Sequence, residues 1–240
     1  MFLNPELSAA LDRIAQRAAD VRRAYTPGAL PAHDDVATPS PVADFTLDPL
    51  SVAPPDDGYF VTRDDRGNPA YTRDGSFTIR DGLLTGADGA PILGRTARGE
   101  GLRELRVDPV DERLARISAF AISTDGVLSY ARAAIDPRTG ARETQRVTVG
   151  RLAVARFPAG TRLDSADGRT CAAPEGVAPE IGFASEGSFG SVTPMRRERS
   201  RVDVDASLVR LKEAYLAFDA LQAAHAAKAH LGKTAMDLLK

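Results

Sequence analysis

The sequence has a single cysteine and almost no net charge. Cys171 is the one thiol among 240 residues, so no internal disulfide forms, and with three histidines in the chain it lacks the companions of a metal site. We therefore expect Cys171 to be a small buried side chain. Lys and Arg total 31 against 33 Asp and Glu. No field of one sign exists to attract nucleic acid or an acidic membrane surface.

Long apolar runs and catalytic motifs are also missing. No run of about 18 apolar residues occurs, and the start, MFLNPELSAALDRIAQ, lacks a basic region followed by an apolar one. We expect no membrane span and no cleavable signal peptide. The nucleophile-elbow, zinc-protease, phosphate-loop and dinucleotide motifs are absent, and His33, His225 and His230 are not spaced as a ligand set. The sequence nominates no catalytic, cofactor-binding or metal-binding residue, and we expect a protein that is not an enzyme.

The N-terminal segment, residues 1–28, has the pattern of an amphipathic helix. Asn4 is a candidate N-cap ahead of Pro5 and Glu6, which suit the first turn. The Thr-Pro-Gly at 26–28 ends the helix. Apolar side chains step by four and three residues and so share one stripe. The members that we expect to pack against other subunits are Leu7, Leu11, Ile14 and Val21.

The C-terminal segment, residues 195–240, contains a second amphipathic helix, with Asp203 or Asp205 as its N-cap. A helix of about 35 residues is roughly 50 Å long, more than a small β domain needs for its own core. We therefore expect much of it to pack against other molecules. Its predicted packing residues are Leu208, Leu211, Tyr215, Phe218, Leu221, Leu231 and Leu238.

Residues 58–194 are typical of an antiparallel β domain. Short runs of Val, Ile, Leu, Phe and Thr alternate with turn signals, including Asp-Gly at 74–75, 81–82 and 88–89. Asp-Gly suits tight hairpin turns, whereas single carboxylates a strand apart do not converge as a calcium loop requires. We predict hairpin turns at these pairs. The preceding residues 29–57 carry six prolines and predict an extended connector outside the core.

An arginine-rich segment, MRRERSR at 195–201, precedes the second helix. It favours a solvated linker, and a contact with an acidic neighbouring subunit is the alternative. Nucleic-acid binding would need adjacent aromatic residues or a groove-reading helix, and neither accompanies the cluster.

The segments together predict a mainly β fold with long helices at both ends. The middle is an antiparallel, hairpin-rich domain, and the terminal helices form a coiled-coil region. An isolated helix with a one-sided apolar stripe is marginal in water. We therefore expect the two ends to pair with each other and with other copies of the chain.

Residues 46–94 carry the motifs of a known family. DDGYFV is followed by YTRDGSF and then by PILG. This order resembles the flagellar basal-body rod and hook family, and similarities continue in order to residue 240. A chain of 240 residues is nearer the rod subunits than the longer hook protein, and PILG with a compact middle favours the proximal over the distal rod. The matching motif residues are Gly58, Phe60, Tyr71, Thr72, Arg73, Asp74, Gly75 and Phe77.

The chain departs from the family pattern at two places. Ala19, Asp20 and Arg23 stand where the family's N-terminal helix has asparagines, and Arg199-Ser200-Arg201 replaces a Ser-Asn. Buried polar residues fix the register of packed helices. The departures therefore bear on which helices pack beside these two in an assembly, and not on the fold of the chain.

The resemblance implies a structural subunit of the bacterial flagellar basal-body rod, self-assembling through its terminal helices into the axial drive shaft for motility. It implies type III export without signal cleavage, a periplasmic rod location, and contacts with copies of itself and other rod and hook axial subunits. No cofactor and no nucleic-acid partner is implied. The residues themselves leave a second class open: an extracellular or periplasmic β-rich module that binds sugar or calcium, with helical oligomerisation ends.

Overall fold

The computed structural model describes residues 5–31, 41–97, 99, 101–107, 115–135, 141–161, 163, 165 and 168–237. Within these residues the chain forms one helix near each end and fifteen antiparallel strands between them, which confirms the predicted β-rich fold with terminal helices. The helices are α1 Pro5–Arg23 and α2 Val204–Asp237. The strands are β1 Ala43–Phe45, β2 Val52–Ala53, β3 Tyr59–Arg63, β4 Pro69–Thr72, β5 Thr78–Arg80, β6 Leu83–Thr85, β7 Leu93–Thr96, β8 Arg103–Glu104, β9 Ala115–Ile122, β10 Val127–Ile135, β11 Arg142–Arg156, β12 Thr170–Cys171, β13 Glu180–Phe183, β14 Thr193–Pro194 and β15 Arg196–Glu198.

The chain divides into two compact units. The helical unit comprises the described parts of Met1–Tyr25, Leu30–Pro39 and Arg201–Lys240. The β unit comprises Thr26–Ala29 and the described parts of Ser40–Ser200. The division predicted from the sequence, at residues 28, 57 and 194, concerns roles in an assembly and stays a prediction.

The helices begin and end close to the predicted residues. α1 runs from Pro5 to Arg23, so the helix ends before the Thr-Pro-Gly that we expected to stop it. Asp203, one of the two predicted candidates, caps α2: its Oδ1 accepts the Ala206 N–H at 3.0 Å and its carbonyl accepts the Ser207 N–H at 3.0 Å. Leu238 lies outside the described residues.

The long strand β11 organises the β unit. The largest sheet has the order β12-β4-β3-β11-β10-β9, and β7 and β13 also pair with β11. With 15 residues, β11 is long enough to pair with β10 along its first part and with β3, β7 and β13 along its second. Most of the core residues lie on or beside these strands, including Phe60, Leu152 and Val154.

Residues 41–57 differ from the sequence prediction. We expected the Pro-rich segment to remain outside the core, but Val52 in β2 is fully buried in the main hydrophobic cluster. Its N–H donates to the Gly75 carbonyl at 3.0 Å, and β2 pairs with β14. The prediction of a connector outside the core is therefore wrong for this part, because the prolines flank a short apolar strand that long-range pairing draws in.

Two of the three Asp-Gly pairs lie in turns. Asp81 and Gly82, with φ of 50° and 75°, join β5 to β6 in a tight hairpin, as predicted. Asp88-Gly89 forms the turn between β6 and β7, where the Gly89 N–H donates to the Gly86 carbonyl at 3.0 Å. Asp74-Gly75 does not form a hairpin turn, because it lies on the connection between β4 and β5, which are in different sheets.

Cys171 is buried, as predicted, in the edge strand β12. No helix among the described residues combines the length and apolar character that crossing a bilayer requires.

Candidate interaction surfaces

The two helices of the helical unit contact each other through a seam of small and medium side chains. On α1 a row of buried and half-buried residues steps by three and four: Leu7, Ala10, Ile14, Arg17 and Val21. Asp20 and Arg23 are buried as well. On α2 the corresponding set is Ser207, Leu211, Ala214, Phe218, Leu221 and His225. His225 Nε2 lies 3.3 Å from Glu6 Oε2, so the C-terminal end of this set lies beside the N-terminal end of α1.

The predicted packing stripes follow this seam in part. Leu7, Ile14 and Val21 lie on the α1 seam, whereas Leu11 is exposed. On α2, half of the described members lie on the seam and half are exposed. Leu211, Phe218 and Leu221 are half-buried on the seam, and Leu208, Tyr215 and Leu231 are exposed. Contact of these residues with other subunits stays a prediction.

Small side chains explain why the seam and the stripe differ. Ala10, Ser207 and Ala214 are the buried seam positions that a search for large apolar residues passes over. Small residues let two helix backbones approach closely. The larger residues that follow them by one position are Leu11, Leu208 and Tyr215. One position is a rotation of about 100° around the helix, so these side chains are exposed.

Apolar side chains also occupy the side of α2 away from α1. Val209 and Leu216 each follow a buried seam residue by two positions, about 200° around the helix, and both are more than half exposed. Exposed Asp205 and Glu213 lie beside them. We call these four residues the outer face of α2. A helix that is apolar on opposite sides has more surface to bury than one neighbour covers.

A charged pair lies within the helical unit. Asp20 and Arg23 of α1 are almost completely buried, and their charged atoms are 3.7 Å apart. They occupy two of the positions where the resembling family has asparagines. A polar pair of this kind fixes helix register at a cost in stability.

The motif arginine of the β unit forms a buried ion pair that the sequence analysis missed. Arg73 and Glu198 are each 2% exposed, and Nη2 and Oε2 are 2.6 Å apart. Arg73 Nε donates to both carboxylate oxygens at 3.0 Å, and its Nη1 and Nη2 donate to the Gly58 and Asp56 carbonyls at 2.6 Å. The guanidinium also lies 5.3 Å from the centre of the Tyr59 ring. Every charge in this pair has hydrogen-bond partners, which a buried pair requires.

The pair joins segments that are far apart in sequence. Glu198 is 125 residues from Arg73, and its backbone carbonyl accepts the Gly28 N–H at 3.1 Å. Residue spacing gives no signal for such a contact, and an acid within four arginines is expected to remain in water. The pair therefore fixes Gly28 and Glu198 side by side in the β unit.

Other motif residues fill the β core. Phe60 and Phe77 meet edge to face with ring centres 5.0 Å apart. Gly75 is required by a close approach, because a Cβ there would overlap the Val52 carbonyl oxygen. A Cβ at Gly58 would lie 2.8 Å from a Val154 methyl group.

Tyr71 and Thr72, at the end of β4, and Asp74, which follows it, make contacts that stabilise this part of the β unit. The Tyr71 ring packs edge to face on Phe157 at 4.9 Å, and burial raises the pKa of its phenol. The Thr72 hydroxyl donates to the Arg169 carbonyl at 2.8 Å and accepts the Asp74 N–H at 3.0 Å. These contacts are structural.

Part of the arginine-rich segment is a strand. We expected a solvated linker at 195–201, but Arg196–Glu198 forms β15, which pairs with β1 in register Ala43 to Glu198 and Phe45 to Arg196. The linker prediction is wrong here, because Glu198 meets Arg73 and holds the strand in place. We call β1, β15 and their flanking residues Val42, Leu47, Met195 and Arg199 the ribbon.

One ion pair lies on the exposed side of the ribbon. Arg199 Nη2 donates to Asp44 Oδ1 at 2.7 Å, and this hydrogen bond holds the pKa of the Asp44 carboxyl below its ordinary value. Both side chains are more than half exposed, so the pair contributes little to stability.

Metal-binding groups are not found in the part of the chain that the structure describes. His, Cys, Asp and Glu side chains among these residues do not gather in threes that could hold an ion. His33 lies outside the described residues, and His230 is exposed on α2.

A family model described as "Flagellar hook protein FlgE/F/G D1 domain" matches residues 56–130, less than a third of the 240-residue chain. The matched range contains all eight motif residues named above. Over this range the chain is similar to the D1 domain of flagellar hook proteins, in agreement with the resemblance found in the sequence. No curated protein matches the chain.

Proposed function

We propose that the chain is a structural subunit of the bacterial flagellar basal-body rod. It assembles through its terminal helices with copies of itself and with other rod and hook axial subunits. Its PILG segment and its compact middle favour the proximal over the distal rod. It reaches the periplasm through the flagellar type III export apparatus.

The observation that carries the proposal is the exposed apolar surface of α2. Within the described residues α2 places Leu208 and Tyr215 on one flank and Val209 and Leu216 on the outer face, all close to or above half exposed. α1 contacts the remaining side through the seam. Burying this surface against further helices would stabilise their association by about 25 cal/mol per Å².

The contrast with the β unit supports a structural role. Its core is filled by its own residues, and its motif arginine, Arg73, forms an internal ion pair with Glu198. The family model that matches residues 56–130 is a domain of flagellar hook proteins. These features suit a rigid building block whose helices make the contacts.

Charged substitutions on the exposed flank test the proposal. Leu208→Asp with Tyr215→Asp places two carboxylates at surface positions, so the monomer should fold while assembly into rods fails. Ile181→Asp is the matched control, because Ile181 is an exposed apolar residue of the β unit. Circular dichroism verifies folding, and electron microscopy of basal bodies with swimming assays measures incorporation.

Two results would contradict the proposal. One is normal rod incorporation and motility of the double variant. The other is saturable calorimetric heat with calcium or cell-wall fragments, together with no self-association, which would favour the ligand-binding module.

A further inference from the structure

Two arginines lie side by side on the β unit. The register of β7 with β11 places Arg95 directly opposite Arg151, so both side chains leave the same face of the sheet. Like charges at directly opposed positions destabilise a pair of strands. The pair therefore needs anions beside it. Among the described residues one carboxylate forms an ion pair with these arginines, that of Glu186.

Glu186 neutralises one of the two positive charges. Arg95 Nη2 donates to Glu186 Oε1 at 2.8 Å, and Arg151 Nη1 donates to the same oxygen. Arg151 Nε also donates to the Asp125 carbonyl at 2.7 Å. The remaining N–H groups of the two arginines have no acceptor among the described residues. One positive charge and several donors are thus left over.

Both guanidinium groups are held in place. Arg95 lies over the Phe183 ring, 4.3 Å from its centre, and Arg151 is fixed between Asp125 and Glu186. Glu186 is itself part of a tight turn after β13, because its N–H donates to the Phe183 carbonyl at 3.1 Å. Groups that are already ordered lose less entropy when a ligand binds.

An open cleft of about 620 Å³ lies at the two arginines, a volume that suits a small ligand. Thr148 lines it as well. β10 aligns Val127 with Arg151 and Ser129 with Thr148, and the register shift between these pairs brings Thr148 to the face that carries Arg151. Val127 and Ala97 add apolar lining. The described residues that line the cleft include no acid.

We propose that this cleft binds an organic carboxylate, which Arg95 and Arg151 hold and to which the Thr148 hydroxyl can donate. A guanidinium presents paired N–H groups that match the two oxygens of a carboxylate. An inorganic anion would fill a small part of the cleft, whereas the body of an organic acid also reaches Val127 and Ala97. All of these residues belong to the β unit, so the inference does not depend on how copies of the chain associate.

Two probes distinguish the possible sources of the carboxylate. The full chain is titrated by calorimetry at low ionic strength with sodium succinate and with a capped tetraglutamate peptide. Saturable binding of succinate assigns the cleft to a free organic acid, and binding of the peptide alone assigns it to an acidic peptide segment. Absence of saturable heat from both probes would overturn the proposal. So would inorganic phosphate that binds as tightly as the better probe.

Arginine variants locate the bound probe. Arg95→Gln should weaken binding about tenfold, because it removes charge-assisted hydrogen bonds to the carboxylate. Arg63→Gln is the matched control, since Arg63 is exposed at the end of β3 and the change removes the same charge. Equal weakening in the two variants would overturn the proposal, because it would show attraction by net charge alone.

Glu186→Gln gives a result of opposite sign. It removes the carboxylate that competes for the same guanidinium groups, so binding should strengthen severalfold. If the three side chains only brace the turn against the sheet, the same change would loosen the arginines and weaken binding. Melting curves establish that each variant is folded at the temperature of the titration. Unchanged or weaker binding by folded Glu186→Gln would overturn the proposal.

Discussion

The two units of the molecule bury their apolar residues to very different extents. All twelve of the largest fully buried side chains among the described residues belong to the β unit. The described helical unit buries four apolar residues, of which Ile14 is the largest on α1, and leaves seven large ones exposed. The β unit thus obtains its stability within one chain, whereas the helical unit has apolar surface left for neighbours. Four variants, from the largest expected effect to the smallest, test this difference.

Phe60→Ala should produce the largest loss. Phe60 is fully buried against Phe77, so its removal leaves a cavity and should lower the free energy of unfolding of the β unit by about 4 kcal/mol. Leu216→Ala on exposed α2 should change monomer stability by less than about 0.5 kcal/mol. Urea unfolding followed by tyrosine fluorescence and circular dichroism measures both. Similar losses in the two variants would remove the distinction between the units.

Arg73→Met tests the buried ion pair. It leaves Glu198 buried without its countercharge and should cost about 3 kcal/mol in the β unit. Arg73→Met with Glu198→Met removes both charges and should recover most of the loss. Hydrogen exchange of the Gly28 amide, which donates to the Glu198 carbonyl, should quicken in the single variant. A double variant as unstable as the single one would show that packing, not charge pairing, carries the effect.

Asp203→Ala should have a smaller effect, confined to the helical unit. Asp203 caps α2, and loss of an N-cap costs about 1 kcal/mol. The helical signal at 222 nm should melt earlier, and the amides of Ala206 and Ser207 should exchange faster. Asp219→Asn, on the exposed middle of α2, is the control. Equal destabilisation of the β unit would mean that the two units do not melt independently.

The smallest effect is expected from Tyr71→Phe, and only in alkali. Burial raises the pKa of Tyr71 in the folded state, so the neutral phenol stabilises the fold below about pH 10, the ordinary tyrosine pKa. This contribution is lost as the pH rises through the raised value. Phe cannot ionise, so the variant should keep its melting temperature at alkaline pH better than the original protein. Tyr25→Phe, at an exposed position, should not; if it does, burial of Tyr71 is not the cause.

Patterns of nearby residues predicted the elements well. The 3–4 spacing predicted both helices, Asp203 was one of two candidate caps, and Asp81-Gly82 was identified as a turn. Each of these features depends on residues within a few positions of one another. Hydrogen bonds and φ angles there are decided locally.

Contacts between distant segments escaped prediction. Arg73 meets Glu198 across 125 residues, and Val52 enters the core because β14 and Gly75 supply its hydrogen bonds. The helix seam differs from the predicted stripe because two of its buried residues, Ala214 and Ser207, are small. A search for large apolar residues selects the exposed side of α2 as readily as the buried side. Local spacing contains no information on which distant group supplies a countercharge or a carbonyl.

The length of β11 has a consequence for how the β unit comes apart. One continuous strand of 15 residues supplies hydrogen bonds to β10, β7, β3 and β13. Loss of any one of these neighbours leaves backbone groups of β11 without their hydrogen bonds, and the other neighbours pair with that same strand. We therefore expect the sheet to open cooperatively, in one heat-absorption peak rather than strand by strand.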